Sequence, residues 1–200
     1  MVDNTPSDRT VPFGQIIGID ANNVIAFSSN YHSEKNQDIV EHSFININHS
    51  EKLRKIFCGI KYQCVEYVRR WLILTFGISF QQIDNAHMLY TLDNIIFKNI
   101  YTNHIISYKK CSNGSTDVPE RGTLVIWDRT DTYPTGHVAV VHHTDDQYIY
   151  IGEQNWNDML WNNLYSRKIP MTLTNNSIDL DDRNDYNLRI IGWLKLNITF

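Results

Sequence analysis

Five strand-sized apolar runs crowd the C-terminal part of the chain: "TLVIWD" (123–128), "HVAVVHH" (137–143), "YIYIGEQN" (148–155), "LYSRKIP" (164–170) and "LRIIGWLKL" (188–196). They are rich in Val, Ile, Trp and Tyr, and turn-forming residues separate most of them. The strongest helical pattern lies earlier, in "KYQCVEYVRRWLILTFG" (61–77). There Cys64, Val68, Leu72 and Phe76 recur every fourth residue and share one face. Gly77 then supplies a helix stop. Helices first and a run of strands afterwards do not make alternating β-α-β units. The expectation is an α+β fold, with the Cys64 helix packed on an antiparallel sheet.

The remaining segments are placed more coarsely. "FGQIIGI" and "NVIAFS" flank the turn signal "DANN", so residues 13–28 are expected to form a hairpin. Residues 29–60 read as polar and irregular, with a helix around Asp38–Asn46. "DNAHMLYT" (84–91) reads as a short helix after an Asp cap. Residues 111–122 contain Ser, Asn, Gly and Pro and read as a loop. Residues 1–11 form a tail before one domain spanning 12–200. There is no internal repeat.

Composition narrows the function class. A net charge of −4 advertises no basic surface for nucleic acid. No apolar run approaches the ~20 residues of a membrane helix. "MVDNTPSDRTVPFG" lacks the charged and apolar regions of a signal peptide, so the expected location is cytoplasmic. Cys58, Cys64 and Cys111 are odd in number and unevenly spaced, unlike a disulfide framework. No C-x-x-C pair or paired-histidine helix suggests a zinc site, so no metal ligands are expected.

Cys64 sits where the apolar helix begins. The positive end of a helix dipole together with a nearby imidazolium lowers a thiol's pKa from ~8.5 toward ~3.5–7.5. The commoner fate of a lone cysteine is core packing. A base is available among the eight histidines. If "HVAVVH" and "YIYIGE" form a hairpin centred on Asp145, His142 pairs with Tyr148 and His137 with Glu153. Directly opposed residues share a sheet face, and a carboxylate beside an imidazole fixes its tautomer and stabilises the imidazolium. A slip of one residue would send the two side chains to opposite faces. The alternative is an ordinary cross-strand polar pair.

The segments "PFGQIIGI…NNVIAFSSNY", "YQCVEYVRRWLILTFGISF", "RGTLVIWD", "TGHVAVV", "GEQNW", "YSR" and "IIGWL" span residues 12–194. In this order they resemble the amidase domain of the glutathionylspermidine synthetase/amidase family. The amidase domain of trypanothione synthetase is similar, and both belong to the CHAP group of papain-like amidohydrolases. The resemblance implies a papain-like CHAP/NlpC-P60 fold, with Cys64 as nucleophile, His137 as general base and then acid, and Glu153 as the acid that orients it. Gln63 and the Cys64 backbone N–H would form the oxyanion hole. Arg69 and Asn155 match family positions near the substrate channel; alternatively they are a helix-surface charge and a strand-end hydrogen bonder.

The implied substrate is a small glutathionyl-polyamine amide, cleaved through a Cys64 thioester without a metal or organic cofactor. Asp128 and Asp131, just before the His137 strand, are candidates to meet the polyamine's charges, or else solvated loop carboxylates. The chain contains no Gly-rich phosphate loop, so as it stands it is expected to cleave such a conjugate and not to make one. The rival readings are a CHAP-type peptidoglycan amidase or endopeptidase, a non-catalytic CHAP binding module, and a protease of the same fold. Neither the amine released nor the oligomeric state is legible. Cys58, six residues before Cys64, either packs as an apolar residue or resolves an oxidised Cys64.

Overall fold

The computed structural model describes residues 10–30, 41–49, 52–174, 176–184 and 186–198. In chain order the elements are β1 (Ile16–Ile19), β2 (Ile25–Phe27), β3 (His42–His49), β4 (Lys52–Ile60), α1 (Cys64–Phe76), β5 (Ile78–Phe80), α2 (Met88–Thr91), β6 (Phe97–Asn99), β7 (Ile105–Ile106), β8 (Tyr108–Ser112), β9 (Leu124–Trp127), β10 (His137–Thr144), β11 (Tyr148–Gly152), β12 (Arg167–Leu173), β13 (Ile178–Leu180) and β14 (Ile190–Leu196). The central feature is a seven-stranded sheet in the order β13-β12-β11-β10-β9-β14-β8. Every neighbouring pair in it is antiparallel. Helix α1 packs on β10, β5 and β4. This is the expected α+β arrangement, with the Cys64 helix packed on an antiparallel sheet.

Alternation along the central strands builds two cores, because successive strand side chains point to opposite faces. Leu124, Ile126, Val138, Val140, Leu194 and Leu196 join Cys64, Tyr67, Val68, Trp71 and Leu72 of α1. Val125, Trp127, Ala139, Val141 and Trp193 go to a second cluster with Ile149, Ile151 and Ile169. Both faces are therefore buried, which is why "LVIW" and "VAVV" are continuously apolar. Helix α1 stops where expected. Gly77 adopts φ +66° and its N–H reaches back to the Ile73 and Leu72 carbonyls.

Three expectations need correction. Residues 42–49 and 52–60 are not irregular: they form β3 and β4, which pair antiparallel with one irregularity between Ser43 and Phe44. His42–Asn46 lies in β3 and not in a helix, while residues 38–40 fall outside the described residues. The reason is the period-2 pattern of "SFININ", in which Ser43, Ile45 and Ile47 are more buried than Phe44, Asn46 and Asn48. The helix expected at 84–91 shrinks to Met88–Thr91, with no side-chain cap, so Asp84 caps nothing. Cys111 and Ser112, expected in a loop, end β8 and pair with Trp193 and Gly192. The hairpin expected at 13–28 is present as β1–β2. Among the described residues, no helix is long and apolar enough to cross a membrane.

Candidate active site

The N-terminus of α1 and the start of β10 bring Cys64 and His137 together. The Cys64 thiol acts on His137 from one side, and its charge is the largest influence raising the imidazole's pKa. On the other, its Nε2 lies 2.8 Å from Glu153 Oε2, which leaves Nδ1 for the thiol. All three side chains are buried. Trp127 meets the imidazole edge-on at 5.3 Å between ring centres, and Trp156 lies at 4.6 Å. This aromatic enclosure keeps water from the ring, which strengthens each charge interaction inside it.

Burial pushes the His137 pKa down. The charge of Cys64, its hydrogen bond and the Glu153 carboxylate together push harder, and the net value rises to about 9. Burial likewise works to raise Glu153. The Arg167 guanidinium and His137 outweigh it and hold the carboxyl at about 2. Both directions favour a charged imidazolium–carboxylate pair, as nucleophilic cysteine chemistry requires.

The strand register that delivers this pair differs from the expected one. Val140 faces Gly152, where the expected register put Tyr150. Continuing that ladder places Glu153 opposite Ala139, so His137 and Glu153 are diagonal neighbours, and His142 does not pair with Tyr148. Next to the turn the offset is three residues, since His143 faces Tyr150, and a bulge at His142, between Val141 and His143, removes one of them. The offset at the His137 end is two residues, and an even offset keeps side chains on the same face. Diagonal neighbours stand ~7–8 Å apart at the backbone, within reach of two long side chains.

Gln63 occupies the N-cap position of α1 but makes no capping hydrogen bond. Its Oε1 instead accepts a bond from Asn155 Nδ2 at 2.7 Å. Asn155 Oδ1 in turn accepts from Ser29 Oγ at 2.7 Å. Asn155 holds φ +55°, a left-handed conformation that asparagine tolerates. Gln63, Cys64 and Arg69 all line a cleft of about 420 Å³. Arg69 is buried, and desolvation lowers its pKa to about 10. Its Nη1 donates to the Cys58 carbonyl at 2.5 Å and its Nη2 to that of Gln81 at 3.0 Å, with the guanidinium over the Phe80 ring. It is thus a built part of the cleft wall, not a helix-surface charge. Asp128 and Asp131 are not among the cleft's lining residues; Asp128 Oδ1 instead accepts from the Arg129 N–H.

Two groups of residues escaped sequence reasoning. Arg167 Nε lies 2.6 Å from Glu153 Oε1, and Ser166 Oγ donates to the same oxygen at 3.0 Å. Arg167 also pairs with Asp182 and lies over Trp156. Nothing local in "YSR" signals this, because its partners come from a different strand and a distant loop. Glu66, Arg70 and Gln154 form the second group. Arg70 Nε donates to Glu66 Oε1 at 2.6 Å, and Gln154 Nε2 donates to Glu66 Oε2 at 3.0 Å. Gln154 Oε1 accepts from Arg70 Nη2 and from the Phe27 N–H. This buried network ties the Glu153–Asn155 segment to α1. Its Glu66–Arg70 i,i+4 spacing in "EYVRR" was a readable signal.

Residues 56–155 match the CHAP domain, a span holding Cys64, His137, Glu153 and Asn155. The chain is 29% identical over 187 residues to trypanothione synthetase of Crithidia fasciculata, covering 92% of this chain and 26% of that protein. It is 29% identical over 195 residues to the bifunctional glutathionylspermidine synthetase/amidase of Escherichia coli (strain K12), covering 94% and 30% respectively. Glutathionylspermidine synthase of Crithidia fasciculata is 25% identical over 202 residues, covering 95% and 27%. The chain therefore spans less than a third of the length of these relatives.

Proposed function

Since this chain belongs to the CHAP-domain family, we propose that it is a cysteine amidohydrolase that cleaves the amide joining the glycine carboxyl of glutathione to a polyamine. The observation that carries the reading is the buried run Cys64–His137–Glu153, with His137 bonded to Glu153 and Cys64 lining a cleft large enough for a small conjugate. The substrate class is suggested by the names of the similar proteins, a glutathionylspermidine synthetase/amidase, a glutathionylspermidine synthase and a trypanothione synthetase.

In this mechanism the Cys64 thiolate attacks the carbonyl carbon. The oxygen becomes an oxyanion facing the Cys64 backbone N–H and the Gln63 amide. Removing one such donor costs an enzyme of this kind roughly 3–4 kcal/mol. The C–N bond then breaks as His137 gives its proton to the departing nitrogen, otherwise a poor leaving group. The glutathionyl group stays on Cys64 as a thioester. Water, deprotonated by His137, attacks that thioester and restores the thiol. Glu153 orients His137 and stabilises its positive charge, and Arg167 and Ser166 hold Glu153.

Mass spectrometry of products after incubation with glutathionylspermidine and, separately, with a peptidoglycan stem peptide tests the assignment. Glutathione and spermidine from the first, with the peptide intact, are expected. Cleavage of the wall peptide alone would move the protein to the peptidoglycan amidase reading. Cleavage of neither would leave a binding module.

A further inference from the structure

We propose that Asp84 is the specificity residue for the leaving group, selecting amides whose departing amine carries a second positive charge. This rests on the amide-hydrolysis reading above.

The chemistry fixes where the leaving amine stands. When the tetrahedral intermediate collapses, the C–N bond breaks, the carbonyl re-forms on Cys64 and the imidazolium proton passes to the amine nitrogen. The amine therefore departs on the His137 side. The segment Asp84–His87 forms that side. The His87 N–H donates to the Thr135 carbonyl at 3.1 Å. A Cβ on Gly136, the residue before His137, would meet the Cβ of His87 at 2.9 Å. The segment is thus pressed against the turn that leads into the catalytic histidine. Asp84, Asn85 and Thr135 line the cleft together with Cys64.

Charge completes the argument. The cleft wall carries two carboxylates, Glu66 and Asp84. Glu66 is buried and occupied by Arg70, Ser43 and Gln154. Asp84 is exposed, and among the described residues its carboxylate has no hydrogen bond or ion pair. Among the described residues it is an unpaired carboxylate, on the side from which the amine leaves. Arg69 and the β4 residues Phe57 and Gly59 line the same cleft. Arg69 supplies the positive charge there, held against the Cys58 and Gln81 carbonyls. A cleft lined by both a guanidinium and an unpaired carboxylate suits an amide with an anionic acyl part and a cationic departing amine.

The test compares two amides with the same glutathionyl acyl group. One releases an amine bearing a second ammonium, as in glutathionylspermidine; the other releases a neutral alkylamine of similar length. In Asp84→Asn, the ratio of kcat/KM for the cationic amide to that for the neutral amide is expected to fall about threefold to tenfold, through KM, since an exposed carboxylate acts on binding at modest strength. Raising ionic strength is expected to shrink the wild-type preference in the same way. If wild type cleaves both amides and Asp84→Asn leaves their ratio unchanged, the specificity role is overturned while the amidase reading stands. If wild type cleaves neither, both fall.

Discussion

Asn155 decides which way the Gln63 amide faces: its Nδ2 donates to Gln63 Oε1 at 2.7 Å. With its oxygen so engaged, Gln63 is left with its Nε2 donors for the cleft it lines. Asn155→Asp removes the donor and offers only acceptors, which favours the flipped amide with its carbonyl toward the oxyanion. We expect Asn155→Asp and Gln63→Ala each to lower kcat by about 10²–10³ with a small change in KM. Asn155→Asp at wild-type kcat would exclude Gln63 from the oxyanion hole.

The Cys64–His137 pair makes a prediction independent of substrate. The His137 imidazolium persists to about pH 9 because Cys64 and Glu153 together outweigh its burial. A raised folded pKa means that the pair's contribution to stability is complete below the unfolded value of ~6.5 and is lost as pH rises through about 9. Cys64→Ala removes the largest favourable cause, so the His137 titration should move down by NMR, and hydrolysis should vanish while the fold remains. An unmoved titration would remove the thiolate from the pair.

Acid stability should be governed first by His142. Its ring lies 3.8 Å from Asp20 yet its pKa falls to about 4. The contact suggests an ion pair and the titration a neutral ring. We favour the neutral ring, because burial against Trp71, stacked at 5.4 Å, outweighs one carboxylate at that distance. A depressed folded pKa means stability is present above ~6.5 and is lost as pH falls toward 4, by up to about 3 kcal/mol. Glu153, held at about 2, adds its own loss only between ~4.5 and 2. Denaturant melts of His142→Gln should therefore show a flatter slope between pH 6.5 and 4 than wild type. Equal slopes would assign the acid sensitivity elsewhere.

Cys58 should not resolve an oxidised Cys64. It is fully buried among Ile47, Ile73 and Ile100, and burial pushes its thiol up to about 12. A thiol of that kind is inert at neutral pH. Stoichiometric peroxide should inactivate the enzyme through a Cys64 sulfenic acid that thiols reverse. Inactivation and recovery should be the same in Cys58→Ala. A Cys58–Cys64 disulfide peptide in the oxidised wild type would overturn this.

What the sequence determined by itself was the set of local patterns. Apolar spacing placed the Cys64 helix and its Gly77 stop, and residue types named a thiol, an imidazole and a carboxylate in workable order. Even the misplaced His137–Glu153 register kept the pair on one face, because its error was two residues and the strand period is two. In "SFININ" the alternation was present, and its asparagines hid it. The tertiary structure alone decided what depends on segments far apart in the chain. These include the His142 bulge, the clamp of Arg167 on Glu153, the Asn155 bond that orients Gln63, and Asp84 in place of Asp128 and Asp131 at the cleft. The reason is physical. Side-chain direction along an element follows from backbone geometry a few residues long, whereas register, hydrogen-bond partners and cleft walls follow from which elements pack together.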